Sequence, residues 1–215
     1  MKFHLITLFP EACEAYLSAS IIGRARRQKK IKVAYQNPRD FVANKWGKAD
    51  ERPYGGGPGM VMGAEPVIRA TSRALRGTKN PTIIWFSPAA KQFTNKDADA
   101  LAKKYSDIIL VCGRYEGVDE RAKAILKTLG PVKTFAVGQA VYTGGELPAL
   151  AIVDAVTRRL PGVLGKDASI EERRVASHKV YTRPETILYK KKKYRVPRVL
   201  RTGHQAKITA WRKGK

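Results

Sequence analysis

Asp107-Ile108-Ile109-Leu110-Val111-Cys112-Gly113-Arg114-Tyr115-Glu116-Gly117 is the stretch from which the fold is read. The apolar run Ile108–Cys112 is too short for a helix and has no polar alternation, so it reads as a strand over 107–112, with Cys112 a buried strand residue. Glycines and charged residues then break the run. Outward from it the same unit repeats. Thr82–Phe86 predicts a strand, 95–104 a helix, 117–128 a helix, 132–137 a strand and 146–159 a helix. Strands alternating with helical stretches imply βαβ units and a parallel sheet, an α/β fold.

Toward the N-terminus, residues 2–8 read as a strand ending before Pro10, and 11–29 as helical with a break near Ser18–Ser20. Residues 31–36 alternate like a strand and 64–76 return to helical periodicity. Between them, 37–59 ends in Pro53-Tyr54-Gly55-Gly56-Gly57-Pro58-Gly59, too rich in Gly and Pro for regular structure. Pro161-Gly162 stops the last helix. The expected organisation is a domain over 1–160, a polar linker over 161–180 and a small, mostly helical C-terminal domain over 181–215. There are no internal repeats.

The chain has 215 residues, 43% of them hydrophobic, and 42 Lys and Arg against 18 Asp and Glu, a formal charge of +24. That imbalance points to a polyanionic partner, since Lys and Arg gain affinity for phosphates by releasing counterions. The charge is concentrated. From Thr186 onward there are eleven Lys and Arg and no Asp or Glu, and Lys190, Lys191, Lys192 and Lys193 lie between Tyr189 and Tyr194, with Arg195 following. Basic residues interleaved with aromatics suit phosphate contact together with base stacking. Two cysteines, Cys13 and Cys112, make no disulfide framework, and three scattered histidines give no metal-ligand pattern. The N-terminus Met1-Lys2-Phe3-His4-Leu5-Ile6 lacks a signal-peptide core, and no apolar run is long enough to span a membrane. A cytoplasmic protein is expected.

Three loops follow the predicted strands of the second half: Trp85-Phe86-Ser87-Pro88, Gly113–Gly117 and Val137-Gly138-Gln139-Ala140-Val141-Tyr142-Thr143-Gly144-Gly145-Glu146-Leu147-Pro148. Ligands of open α/β sheets bind at the carboxyl ends of strands. None of the loops is a dinucleotide fingerprint or a Walker A loop, so nicotinamide and nucleoside triphosphate sites are not supported.

These loops carry a resemblance. Together with Ile6-Thr7-Leu8-Phe9-Pro10-Glu11, Pro38-Arg39-Asp40-Phe41, Asp50-Glu51-Arg52-Pro53-Tyr54-Gly55-Gly56-Gly57-Pro58-Gly59-Met60, Arg159-Leu160-Pro161-Gly162-Val163-Leu164-Gly165 and Tyr181-Thr182-Arg183-Pro184-Glu185, they run in order along the chain. The sequence resembles the bacterial tRNA (guanine-N1)-methyltransferase family, of the SPOUT class. The resemblance implies a parallel sheet with a C-terminal trefoil knot, an obligate homodimer with a shared active site, and S-adenosylmethionine (SAM) as methyl donor. It implies methylation of N1 of the guanosine at tRNA position 37, 3′ of the anticodon. Carried over, the SAM site is Phe86, Ser87, Pro88, Gly113, Glu116, Val137, Gly138, Gln139, Ala140, Val141, Tyr142, Gly144, Gly145 and Pro148. Asp50 and Arg52 would help form the tRNA site across the dimer, and Lys190–Lys193 with Arg195 would grip the RNA.

Guanine N1 carries a proton and is a poor nucleophile until that proton leaves and charge on O6 is stabilised. The resemblance assigns the stabilising role to Arg158, whose forked donors suit O6. It assigns the base to a linker Asp, and here the chain departs from the family. Ala168-Ser169-Ile170-Glu171-Glu172-Arg173-Arg174-Val175-Ala176-Ser177-His178 places the Asp position at or near Arg173. Glu171 or Glu172 could replace the base, or His178. Gln139 and Ala140 stand where the family has Asp and Tyr. A SPOUT enzyme with another RNA target, and a non-catalytic RNA-binding protein that keeps the SAM pocket, remain open beside the leading reading.

Overall fold

The computed structural model describes residues 1–42, 48–164 and 179–213. The chain divides into two compact units, Met1–Leu164 and Gly165–Lys215. No helix among the described residues is long and apolar enough to cross a membrane.

The first unit is built on a five-stranded sheet of order β2-β1-β6-β5-β7, all pairs parallel. The strands are β1 (Lys2–Ile6), β2 (Lys32–Gln36), β5 (Pro81–Phe86), β6 (Asp107–Val111) and β7 (Val132–Phe135). A two-residue ladder, β3 (Asp50–Glu51) with β4 (Val61–Met62), stands apart. The helices are α1 (Pro10–Leu17), α2 (Ser20–Arg27), α3 (Ala64–Leu75), α4 (Asn95–Lys104), α5 (Glu120–Leu129) and α6 (Glu146–Thr157).

β6 is buried along its whole length because both of its faces are covered. Ile108 and Leu110 join a core with Leu17, Leu101, Ile152 and Val156 from α1, α4 and α6. Ile109 and Val111 point the other way, into a core with Val67, Ala70 and Leu126 from α3 and α5. The period of two along the strand therefore feeds two helix layers. Side chains written into the sequence set the helix starts. Thr94 and Asp97 form a reciprocal capping box at α4, and the Asp119 carboxylate accepts from the Arg121 amide. That cap places the start of α5 at Glu120, three residues after the expected 117.

Pro161–Leu164, expected to open the linker, belong to the first unit. Val163 is buried, and its carbonyl accepts from Arg24 Nη2 at 3.2 Å. Both cysteines are buried and unpaired. Burial pushes the Cys13 thiol up to about 12 and Cys112 well above its ordinary value, so neither is a nucleophile at neutral pH.

The second unit adds a hairpin that the sequence does not predict in its C-terminal piece. Its described part opens with an antiparallel hairpin, β8 (Thr186–Tyr189) and β9 (Lys192–Arg195). Lys190 and Lys191 form its two-residue turn, with φ of 46° and 63°. Positive φ at both central residues is the arrangement that matches strand twist. A 3-10 turn (Arg198–Arg201) and α7 (Gln205–Arg212) follow, with Ile208 buried and Trp211 6.1 Å from the Tyr181 ring. The turn carries no Asn-Gly or Asp-Gly signal and the strands are lysine-rich, which is why the hairpin was not legible.

Candidate functional site

β6, β5 and β7 are neighbours in the sheet, so the three loops that follow them emerge at one edge. Backbone bonds join the loops. The Ser87 amide donates to the Phe135 carbonyl at 3.1 Å, the Ala136 amide to Lys91 at 2.9 Å and the Phe93 amide to Ala136 at 2.8 Å. Gln92 Nε2 donates to the Gly138 carbonyl at 2.9 Å. The second and third loops meet where the Gly145 amide donates to the Gly113 carbonyl at 2.8 Å. A Cβ at Gly145 would lie 2.6 Å from Cys112 Cα and 2.9 Å from the Gly113 nitrogen, so only glycine fits.

Between these anchors the third loop stands out as an arch. Gly138, Gln139, Ala140, Val141, Tyr142 and Thr143 are exposed, while Ala136 and Gly145 at its feet are buried. Among the described residues, the amides from Gly138 to Thr143 donate to no backbone carbonyl. The arch thus presents free backbone donors beside apolar Val137, Val141 and Tyr142, with the Tyr142 hydroxyl near the Gly138 Cα. Phe86 and Ser87 are half-buried, Pro88 is exposed and Pro148 is buried in the first turn of α6.

Below the arch lies a buried polar network that the sequence motifs do not reveal. Glu146, 4% exposed, accepts from Thr7 Oγ1 at 2.7 Å and pairs with Arg114 Nε at 2.9 Å. The Arg114 guanidinium lies 4.4 Å from the Phe9 ring centroid, and Arg39 lies 5.5 Å from the same ring. Thr7, Phe9, Arg39, Arg114 and Glu146 all fall inside the motifs quoted above. Their types show that they matter, but not that they touch, because the sheet brings them together.

The long glycine-rich segment closes on the second loop. The Glu116 amide donates to Met60 at 3.0 Å, the Met62 amide to Gly117 at 2.9 Å and the Arg114 amide to Met62 Sδ at 3.2 Å. The Glu116 side chain lies against Gly59. Asp50 is half-buried and pairs with Met62 across the β3–β4 ladder, which brings its strand beside Gly113–Gly117, and Arg52 is exposed.

Arg158 lies at the far end of α6 from this cluster, half-buried at the helix C-cap. A twelve-residue helix is about 18 Å long. The structure therefore does not bring Arg158 together with the loops of its own chain. Its neighbour Arg159 is anchored by Asp99 at 3.1 Å and the Ala155 carbonyl. Glu171, Glu172 and His178 lie outside the described residues.

The model of the family described as tRNA (Guanine-1)-methyltransferase TrmD matches residues 1–215. The chain belongs to that family. Among its relatives, the tRNA (guanine-N(1)-)-methyltransferase of Moorella thermoacetica is 41% identical over 219 residues, covering 99% of this chain and 84% of that protein. The protein of the same name from Buchnera aphidicola is 39% identical over 214 residues, covering 98% and 87%. The one from Campylobacter jejuni is 38% identical, covering 98% and 89%. Membership gives the three loops and the glycine-rich segment a common context, since all fall within the matched region.

Proposed function

We propose that the chain is a SAM-dependent methyltransferase acting on N1 of a guanosine in tRNA, at position 37 beside the anticodon, in the cytoplasm. The full-length match to relatives named for guanine-N1 methylation of tRNA carries this reading, and it favours it over an altered target or a non-catalytic binder.

The convergence of three loops at the carboxyl ends of β5, β6 and β7 supports the cofactor site. The free amides and apolar side chains of the arch fit an adenosine and a methionyl chain. SAM, when bound, supplies an electrophilic methyl group. Phe86, Ser87, Pro88, Gly113, Glu116, Gly144, Gly145, Pro148 and the arch residues Val137–Tyr142 would hold it. The chain that leaves β7 at the sheet edge returns past β5 to meet the end of β6 at Gly145, and this path supports the trefoil knot implied by the family.

The separation of Arg158 from the arch supports a site shared by two copies. Leu147 and Ala151 are exposed on α6 at helical spacing, with Asp154 and Arg158 continuing the stripe. A second copy packed on that stripe would complete the site. Arg158 would then donate to guanine O6, and Glu172 or Glu171 would take the N1 proton, leaving the nitrogen lone pair to accept the methyl group. Asp50 and Arg52 would border the RNA, with Lys190–Lys193 and Arg195 on its phosphates.

The test is transfer of labelled methyl from SAM to a tRNA transcript bearing guanosines at positions 36 and 37. Label should appear on N1 of guanosine 37 and vanish when position 37 is adenosine. SAM binding without transfer to any tRNA would overturn the proposal.

A further inference from the structure

We propose that the β8–β9 hairpin is a stacking platform for unpaired RNA nucleotides, with Tyr189 and Tyr194 each taking the face of a base. The inference rests on tRNA being the substrate. It goes further by naming which part of an RNA the second unit takes.

The register sets Ile187 opposite Tyr194 and Tyr189 opposite Lys192. Alternation along a strand puts these four side chains on one face, with the two tyrosines at a diagonal. Thr186, Leu188, Lys193 and Arg195 share the other face. Both faces of the hairpin are open, with Ile187 58%, Tyr189 60% and Tyr194 51% exposed on this one and Leu188 66% on the other, and the two rings set this face apart. Two rings and an isoleucine on one face of so small a unit give a flat aromatic surface that a planar ligand could cover.

Charge selects the occupant. Lys190 Nζ lies 5.6 Å from the Tyr189 ring centroid and Lys192 Nζ 5.6 Å from that of Tyr194. Each ring thus has a cation over one of its two faces, held at a distance from which it can turn to a phosphate when a base stacks. No Asp or Glu occurs from Thr186 to the end of the chain. A second copy docked here through the same face would set one cationic cluster against another, which disfavours a symmetric contact between copies on this face. RNA supplies both phosphates for the lysines and π-faces for the rings. In a duplex those faces are stacked away inside the helix, so the rings call for unpaired nucleotides.

The experiment measures binding of the full chain to a labelled RNA stem-loop and to a blunt duplex of the same stem, across a salt series. Tyr189→Ala and Tyr194→Ala should each weaken stem-loop binding about tenfold, the scale of one lost base stack. They should leave the duplex affinity and the slope of log K against log salt unchanged. Tyr189→Phe and Tyr194→Phe should bind like the parent. Lys192→Ala should instead lower the slope, by about 0.7 for one phosphate contact. Both rings are exposed, so the variants should keep the parent's circular dichroism spectrum. Equal losses on stem-loop and duplex, no loss from either Ala variant, or a concentration-dependent dimer abolished by Tyr→Ala would each overturn the platform. A parent chain that binds no stem-loop would instead overturn the reading of tRNA as substrate.

Discussion

The Glu146 carboxylate, at the first residue of α6, lies 2.9 Å from Nε of Arg114 in the loop after β6, and its other oxygen is 2.7 Å from the Thr7 hydroxyl at the end of β1. One buried acid thus ties three segments together beneath the proposed SAM arch. Removing either partner strands a charge. Glu146→Ala should cost about 3 kcal/mol of stability, the low end for breaking a buried pair because Arg114 keeps some solvent contact. The double replacement Arg114→Met with Glu146→Gln should recover much of it. Urea unfolding of the three proteins would decide, and equal losses in single and double variants would show that the pair is not coupled.

The glycines of the two loops should behave differently. A Cβ at Gly145 strikes backbone, whereas one at Gly113 meets only the Val118 Cγ2 methyl at 3.2 Å. Gly145→Ala is therefore expected to lower the melting temperature sharply or to yield no folded protein. Gly113→Ala should keep the melt of the parent while weakening SAM binding tenfold or more by calorimetry. Parent-like melting and binding in Gly145→Ala would contradict the close approach at Cys112.

His4 is buried on β1, 3.4 Å from the Asp107 carboxylate. Burial lowers its pKa against the opposing pull of Asp107. The unfolded chain therefore takes up a proton there more readily than the folded one, and stability falls as pH drops below about 6.5. Burial acts to raise the Asp107 pKa, but its bonds to Ser106 and His4 outweigh that and hold it low. Its contribution is lost only at more acid pH, below the ordinary carboxylate range. Unfolding free energy measured from pH 7.5 to 5 should decline in the parent and flatten in His4→Gln. Parallel curves would assign the decline to other groups.

The hairpin turn holds Lys190 and Lys191 in the left-handed region, where L-residues cost about 1 kcal/mol or more. Replacing the pair by Asn-Gly should stabilise the second unit while removing two cations. A rise in thermal stability with a smaller salt slope for tRNA would separate the fold's requirement from the ligand's. A drop in stability would mean that the lysines are held there by contacts beyond the turn.

Chemistry at the linker can be tested in single-turnover methylation. Glu172→Gln, more than Glu171→Gln, should slow transfer by 10²-fold or more, the scale of losing a general base, with little change in affinity for SAM or tRNA. Parent rates in both, and in His178→Ala, would move proton removal to another residue.

Periodicity was informative wherever an element's neighbours were simple. The run Ile108–Cys112 is legible as a buried strand, and the break at Ser18–Ser20 coincides with the end of α1 at Leu17 and the start of α2 at Ser20. Strand order was hidden, because nothing in Lys2–Ile6 says that its partners are Lys32–Gln36 and Asp107–Val111. For the same reason Thr7, Arg114 and Glu146 were visible as residues and not as a network. The hairpin was misread since lysine-rich strands and a Lys-Lys turn imitate a solvated helix. The glycine loops were legible as punctuation, while their meeting at Gly145 depends on backbone paths that local sequence does not encode.

The sheet order also sets a timetable for the newborn chain. β1 can bond to β2 as soon as residue 36 is free, but its other edge waits for β6, which ends about 75 residues later at Val111. At 5–20 residues per second, synthesis leaves Phe3–Ile6 with one open apolar edge for roughly 4–15 s. Throughout that interval the segment is a docking strip for any chaperone or neighbouring nascent chain. Slower translation between residues 36 and 107 would lengthen the hazard, so misfolding should respond to codon speed in that window more than to codon speed after residue 111.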